Sequence, residues 1–349
     1  MSAVPPGFRP KGAGTGVGGM PHADPRACVD AAVSACPDLP FWPTRPLAVT
    51  AEEMVRQWSS GLPGVGEHEL PARAAGATVT GDKAASSAGT RPVWVGRDRA
   101  PGRPGLPAEA VGTLEPFIRA LRRRPDGWLK LQAAGPVTLA LALQAGGREA
   151  LAVPSARGPL AIGYAARIRS LVTRVREALP GWRVVLVLDE PSLGHPLVAA
   201  QPQLALELWR TLGSTGADVT GLHCCATPPW GLVLDLDPQL VSFDAIRDGD
   251  AAADDPAFRR LVEGGAAVAW GLLPGGADRA GGAGDPDAIA ERLLDLVEWT
   301  AGDYLPEVLA RSLVTPTCGL AALSEAEAAR RLSLAASVGS RAWSVAGLP

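Results

Sequence analysis

The sequence lacks any apolar run approaching the ~20 residues that a membrane-spanning helix needs. No leader is expected either. Met1-Ser-Ala-Val-Pro-Pro-Gly7 has no positive segment followed by an apolar core, so no secretory signal is expected. No block or stripe of like charge interrupts the 33 basic and 36 acidic residues, and the formal net charge is -3. Nucleic acid is therefore not an expected partner. Cysteines are few and odd in number, five in 349 residues, which does not make a disulfide framework. In a reducing compartment such thiols stay free for metals or catalysis, and a cytoplasmic location is the expectation.

The chain is rich in other things. Its 47% hydrophobic content suffices for a large core. The 41 glycines and 33 prolines come with much alanine and arginine, the mark of a GC-rich genome rather than of a function. Where they cluster without apolar period, at 72–91, 101–107 and 275–286, loops are expected. The last of these follows a strand pattern directly, where a flexible cover over a site could lie.

Three of the five cysteines stand in informative places. His223, Cys224 and Cys225 are consecutive, and Cys318 lies in Thr315-Pro-Thr-Cys-Gly319. Asp244 ends an apolar run between them. Thiolate, imidazole and carboxylate are the ligand types that zinc takes. Residues 217–224 read as a short buried strand, along which side chains alternate. His223 and Cys225 then share one face, and Cys224 becomes a buried neighbour. Cys28 and Cys36 fall in an Ala/Val-rich helix and read as small core residues.

Apolar runs at 14–19, 92–96, 128–133, 184–189, 219–224, 240–243, 268–273 and 312–317 read as strands. Helical patterns at 25–35, 51–59, 108–124, 158–179, 202–213, 256–263, 286–300 and 324–337 separate most of them. Asp24-Pro25, Asp285-Pro286 and Ser324 with Glu327 supply helix starts. Such alternation argues for a parallel sheet with helices outside. Eight units suggest an α/β fold of the (β/α)8 TIM-barrel type, with a doubly wound open sheet as the alternative. Asp189-Glu190, His223-x-Cys225, Asp244 and Cys318 all end predicted strands, the end at which barrels build their sites.

At these residues the chain resembles the C-terminal catalytic barrel of the cobalamin-independent methionine synthase family. That barrel belongs to a wider group with uroporphyrinogen decarboxylase and zinc-dependent corrinoid methyltransferases. The resemblance runs from Gly14 to near Arg341. It implies a tail at 1–13 and one barrel at 14–345, with one Zn2+ per chain on His223, Cys225, Asp244 and Cys318, where the family has Glu in place of Asp244. Leu188-Asp-Glu-Pro-Ser-Leu193 is similar to the family's Asp-Glu-Pro strand end. Asp189 would then hold the amino group of homocysteine, and Glu190 would do the same or orient a neighbour. Gly16-Val-Gly-Gly-Met-Pro21 resembles the first-strand element whose backbone receives the amino acid carboxylate, here Val17, Gly18 and Gly19. Gly135-Pro-Val-Thr138 matches a turn near the methyl donor.

The implied reaction is methyl transfer from 5-methyltetrahydrofolate to the homocysteine thiol, giving methionine. Besides Asp244, three positions depart from the pattern: Gly19 replaces Ser, Ala142 replaces the Trp against which the pterin lies, and Leu272 replaces a His. Two alternatives follow. One is a zinc-dependent thiol methyltransferase using a corrinoid protein or another donor. The other is a non-catalytic zinc-binding barrel. His22, Arg97, Arg99 and Trp230 are further residues near expected site loops.

Overall fold

The structure, a computed structural model, describes residues 3–62, 64–69, 90–94, 105–276 and 284–348. The strands are β1 (Val65–Glu69), β2 (Thr90–Trp94), β3 (Trp128–Ala134), β4 (Gln144–Ala145), β5 (Arg148–Glu149), β6 (Arg183–Asp189), β7 (Val219–Cys224), β8 (Leu240–Phe243), β9 (Ala267–Leu273) and β10 (Ser312–Pro316). Six of them form one curled, wholly parallel sheet in the order β10-β9-β8-β7-β6-β3. Helices cover its outside, so the fold is α/β.

Two expected strands are placed differently. The run at 92–96 contributes to β2, which pairs antiparallel with β1 in a separate sheet ordered β1-β2-β4-β5. Residues 95 and 96 lie outside the described residues, as do Arg97, Arg99 and most of the expected loops at 72–91 and 275–286. The run at 14–19 is extended but makes only isolated bridges. Gly14 pairs with Val314 of β10, and Gly19 pairs with Thr44. Glycine weakens a ladder and admits close backbone approach. Here a Cβ on Gly16 would lie 2.3 Å from the Phe41 ring.

The opposite edge of the sheet is met by a segment that the pattern did not reveal. Phe41 bridges Lys130 of β3, with Trp42 N–H donating to the Lys130 carbonyl at 2.9 Å and Lys130 N–H to Pro40 at 2.8 Å. Leu39-Pro-Phe-Trp-Pro43 carries two prolines, which cannot donate to a ladder, and so it does not read as a strand.

Alternation along the strands separates two cores. Val184, Leu186, Leu188, Leu222, Val241, Val268, Trp270 and Val314 face outward to the helices. Val185, Val187, Val219, Leu240, Ala267, Ala269 and Leu313 face inward. Residues 3–13, expected as a tail, reach this inner core: Val4, Phe8 and Ala13 are buried in it, and the Phe8 ring meets Trp128 edge-on at 4.7 Å. Higher on the inner side, towards the carboxyl ends, the residues turn polar: Lys130 and Gln132, Asp189, His223, Ser242 and Thr315. No helix among the described residues is long and apolar enough to cross a membrane.

Candidate functional site

The carboxyl ends of β3, β6 and β7 are locked together through their backbones. Gly135 N–H donates to the Asp189 carbonyl, and Glu190 N–H to that of His223, both at 2.7 Å. In register, Asp189 stands beside His223, and His223 beside Ser242. This places the inner-facing side chains of three adjacent strands side by side.

His223 is almost wholly buried. Its Nδ1 lies 2.8 Å from Ser242 Oγ, while Nε2 is buried without a hydrogen-bond partner among the described residues. An orphaned imidazole nitrogen is unusual, because a buried polar atom without a hydrogen bond is destabilising. Burial, and secondarily the positive Lys130, push its pKa down to about 3, so the ring is neutral. A neutral ring held at one nitrogen is the state in which the other can bind a metal. Thr315 Oγ1, inner-facing on β10, is likewise buried without a partner among the described residues.

Cys224 and Cys225 face apart, as strand alternation requires. Cys224 packs into the outer core, its Sγ donating to the Ala226 carbonyl at 3.3 Å, and burial raises its pKa to about 12. Cys225 instead meets Cys318 in a side-chain hydrogen bond, which with burial raises its pKa well above the usual thiol range. The Cys318 loop is clamped from both sides. Thr317 N–H donates to the Leu273 carbonyl at 2.8 Å, and Leu320 N–H to that of Gly19 at 2.7 Å. A Cβ on Gly275 would lie 2.7 Å from the Cys318 backbone nitrogen, so that glycine admits the close approach.

Asp244 caps the helix Ala245–Asp254, its Oδ1 accepting from Arg247 N–H at 3.1 Å, and Oδ2 stands 3.8 Å from the Arg247 guanidinium. Arg247 also donates to the Cys225 carbonyl at 3.1 Å. The carboxylate is thus near the thiols in sequence order around the sheet but engaged elsewhere. Among the described residues, no group of three or more His, Cys, Asp or Glu side chains is gathered at metal-holding distances. The donor chemistry fits zinc: two meeting thiols, and a neutral imidazole with a buried nitrogen unpartnered.

Asp189 Oδ1 accepts from Gln132 Nε2. Burial raises the Asp189 pKa, opposed by Lys130 and by the Gln132 hydrogen bond. Glu190 is engaged by the turn after β3. Its carboxylate accepts from Val137 N–H at 2.9 Å, and from Thr138 N–H and Oγ1 at 2.7 Å each. It pins the first turn of the helix Pro136–Ala142 to the end of β6, a positioning role. Of Val17, Gly18 and Gly19, Gly19 lies beside the Cys318 loop, where a Cβ placed on Gly319 would be 3.5 Å from Gly19 Cα and N, and Gly18 lies against Gln132. Trp230 packs outward with Phe243 and Phe258 as core. His22 is buried, with Nε2 4.0 Å from Glu325. Lys130 and Gln132 were missed by the motif reading, although a lysine inside an otherwise apolar strand is a visible signal.

No family model matches the sequence, and no curated protein matches it. Solved structures do resemble it. A methyltransferase from Methanosarcina mazei aligns with a TM-score of 0.51 and 16% identity, over 90% of this chain and 85% of that one. A B12-independent methionine synthase from Shewanella sp. W3-18-1, in complex with selenomethionine, aligns with a TM-score of 0.47 and 15% identity, over 74% of this chain and 71% of that one. The first likeness is one of fold: this α/β architecture is shared with a methyltransferase.

Proposed function

We propose that the chain is a zinc-dependent methyltransferase that moves a methyl group from 5-methyltetrahydrofolate to the thiol of homocysteine, giving methionine. The observation that carries this reading is the meeting of the Cys225 and Cys318 thiols at the carboxyl ends of β7 and β10. The unpartnered Nε2 of His223 on the same face of β7 supports it. Bonds from Ala13 and Thr15 to β10, from Pro40 and Trp42 to β3, and between Gly18, Met20 and Thr44 support a closed (β/α)8 barrel. In that reading, two irregular segments take the places of its first two strands.

His223, Cys225 and Cys318 would hold the zinc, with Asp244 as the weakest fourth ligand because Arg247 competes for it. When bound, zinc keeps a coordinated substrate thiol deprotonated and so nucleophilic. Two thiolates and one carboxylate outweigh the charge of the ion, which suits sulfur alkylation better than water activation. Asp189 would receive the substrate ammonium, and the backbone of Val17, Gly18 and Gly19 its carboxylate. Glu190 would hold the neighbouring turn in place.

A different donor is favoured by two positions. Ala142 is exposed at the end of its helix, and Leu272 is buried in the outer core, so neither supplies the family's ring. A methylated corrinoid is then the second donor to test.

Metal analysis of the purified chain should give one zinc per protein, falling at least tenfold in Cys225→Ser and Cys318→Ser. X-ray absorption at the zinc edge should show sulfur coordination rising from two towards three with L-homocysteine. Wild type without zinc overturns the reading. Methyl transfer from methylcobalamin but not from 5-methyltetrahydrofolate moves it to the second donor.

A further inference from the structure

Lys130 and Gln132 are inner-facing neighbours on β3, 5% and 7% exposed. An ammonium in such a place is unfavourable for stability, and apolar side chains of similar volume would pack there without that penalty. Burial lowers the Lys130 pKa to about 8. The hydrogen bonds give the pair a direction. An ammonium has three donors and no acceptor. Lys130 Nζ donates to the Gly16 carbonyl at 2.7 Å and also to Gln132 Oε1. Gln132 must then turn its oxygen to Lys130 and its nitrogen away, and that nitrogen donates to Asp189 Oδ1.

In the proposed function, the two ends of this chain of bonds meet the two receivers of the amino acid substrate. At one end, the Gly16 carbonyl is tied down, which fixes the peptide plane leading into Val17 and Gly18. Gly18 has a φ of +134° and lies against the Gln132 stem, since a Cβ there would be 3.7 Å from Gln132 Cβ. At the other end, Asp189 Oδ1 is held as an acceptor in one orientation.

We propose that Lys130 and Gln132 are positioning residues that set an α-amino-acid specificity, Lys130 fixing the carboxylate-receiving backbone and Gln132 the ammonium-receiving Asp189. This deepens the proposed function and rests on it. A thiol carrying both groups is selected because one buried pair holds both receivers at a set separation. Neither residue takes part in methyl transfer.

The experiment compares three thiols on the zinc-containing full chain by calorimetry. They are L-homocysteine, 4-mercaptobutanoate, which lacks the amino group, and 3-aminopropane-1-thiol, which lacks the carboxylate. Gln132→Met should weaken L-homocysteine and the aminothiol at least tenfold while changing 4-mercaptobutanoate less than threefold. Lys130→Met should weaken all three, since it releases the backbone directly and the amide indirectly. Where Lys130→Met fails to fold, the Gln132→Met selectivity alone decides. Equal losses for the three ligands in Gln132→Met, or unchanged selectivity, overturns this inference and leaves the transferase reading intact. Wild type that binds none of the three overturns both.

Discussion

A protonated His223 would have no water around it and the Lys130 ammonium nearby, and that sets how this residue responds to acid. Its pKa falls from 6.5 to about 3 on folding. Below pH 6.5 the unfolded chain takes up a proton that the folded chain refuses. The unfolded state therefore binds more protons, and stability is lost as pH falls from 6.5 towards 3, by up to ~1.4 kcal/mol per unit. Glu190 works the other way, because its pKa is raised to about 7 and its contribution is lost as pH rises through that value. Comparison with His223→Gln isolates the imidazole. The urea midpoint of the metal-free wild type should drop between pH 7 and pH 5 more than that of the variant. An equal drop would mean that the ring is hydrated in solution. The His-x-Cys spacing was legible because a strand has a period of two. Lys130 and Gln132 were not read as site residues because their role depends on Gly16 and Asp189, which only the fold brings to them.

Between elements, the join of β3's turn to β6 is the tightest near the site. A Cβ on Gly135 would lie 2.1 Å from Glu190 Cδ and 2.4 Å from its Cγ. That carboxylate is held by three hydrogen bonds and cannot step aside. Gly135→Ala should therefore cost about 1–3 kcal/mol in thermal or chemical unfolding, the range for overpacking a filled interior. Glu190→Ala costs stability too, by freeing two buried N–H groups. The double variant should be less destabilised than the sum of the two singles, because the second change makes room for the first. Strict additivity would show that the clash is relieved elsewhere. The same contact explains why Gly-Pro-Val-Thr and Asp-Glu-Pro are found together in one sequence: each fits the other. Six of the eight expected strands take their places in the main sheet within a residue or two. The other two do not: the run at 14–19 makes only isolated bridges, and the run at 92–96 enters the separate sheet as part of β2. The segment at 39–43, which does bridge the β3 edge, was not legible because its prolines remove the donor pattern by which a strand is recognised, and the glycines at 14–19 weaken a ladder that the sequence did suggest.

Across the whole molecule, the inside of the curled sheet is divided by depth. Its amino-terminal end is apolar and filled by the chain's own first residues, with Phe8 against Trp128 at the start of β3 and Val4 tied through its N–H to Gly265. Its carboxyl-terminal end carries Asp189, His223, Cys225, Asp244 and Cys318. The plug closes the end that the candidate site does not use, and so stability and metal binding should be separable. Phe8→Ala removes a ring that is 2% exposed and should cost about 3–5 kcal/mol, read as a lower denaturation midpoint. Under the proposed function, the folded fraction should bind zinc and L-homocysteine as wild type does, because no strand end moves. Cys318→Ser should show the reverse pattern, losing zinc while the metal-free chains unfold alike. Under the proposed zinc site, added zinc should raise the midpoint of Phe8→Ala and of wild type alike, since a ligand bound only by the folded state stabilises it by mass action, ~4 kcal/mol at a thousandfold excess over Kd. A Phe8→Ala protein that stayed folded yet lost zinc would show that the plug shapes the site at the far end, and the division by depth would fail.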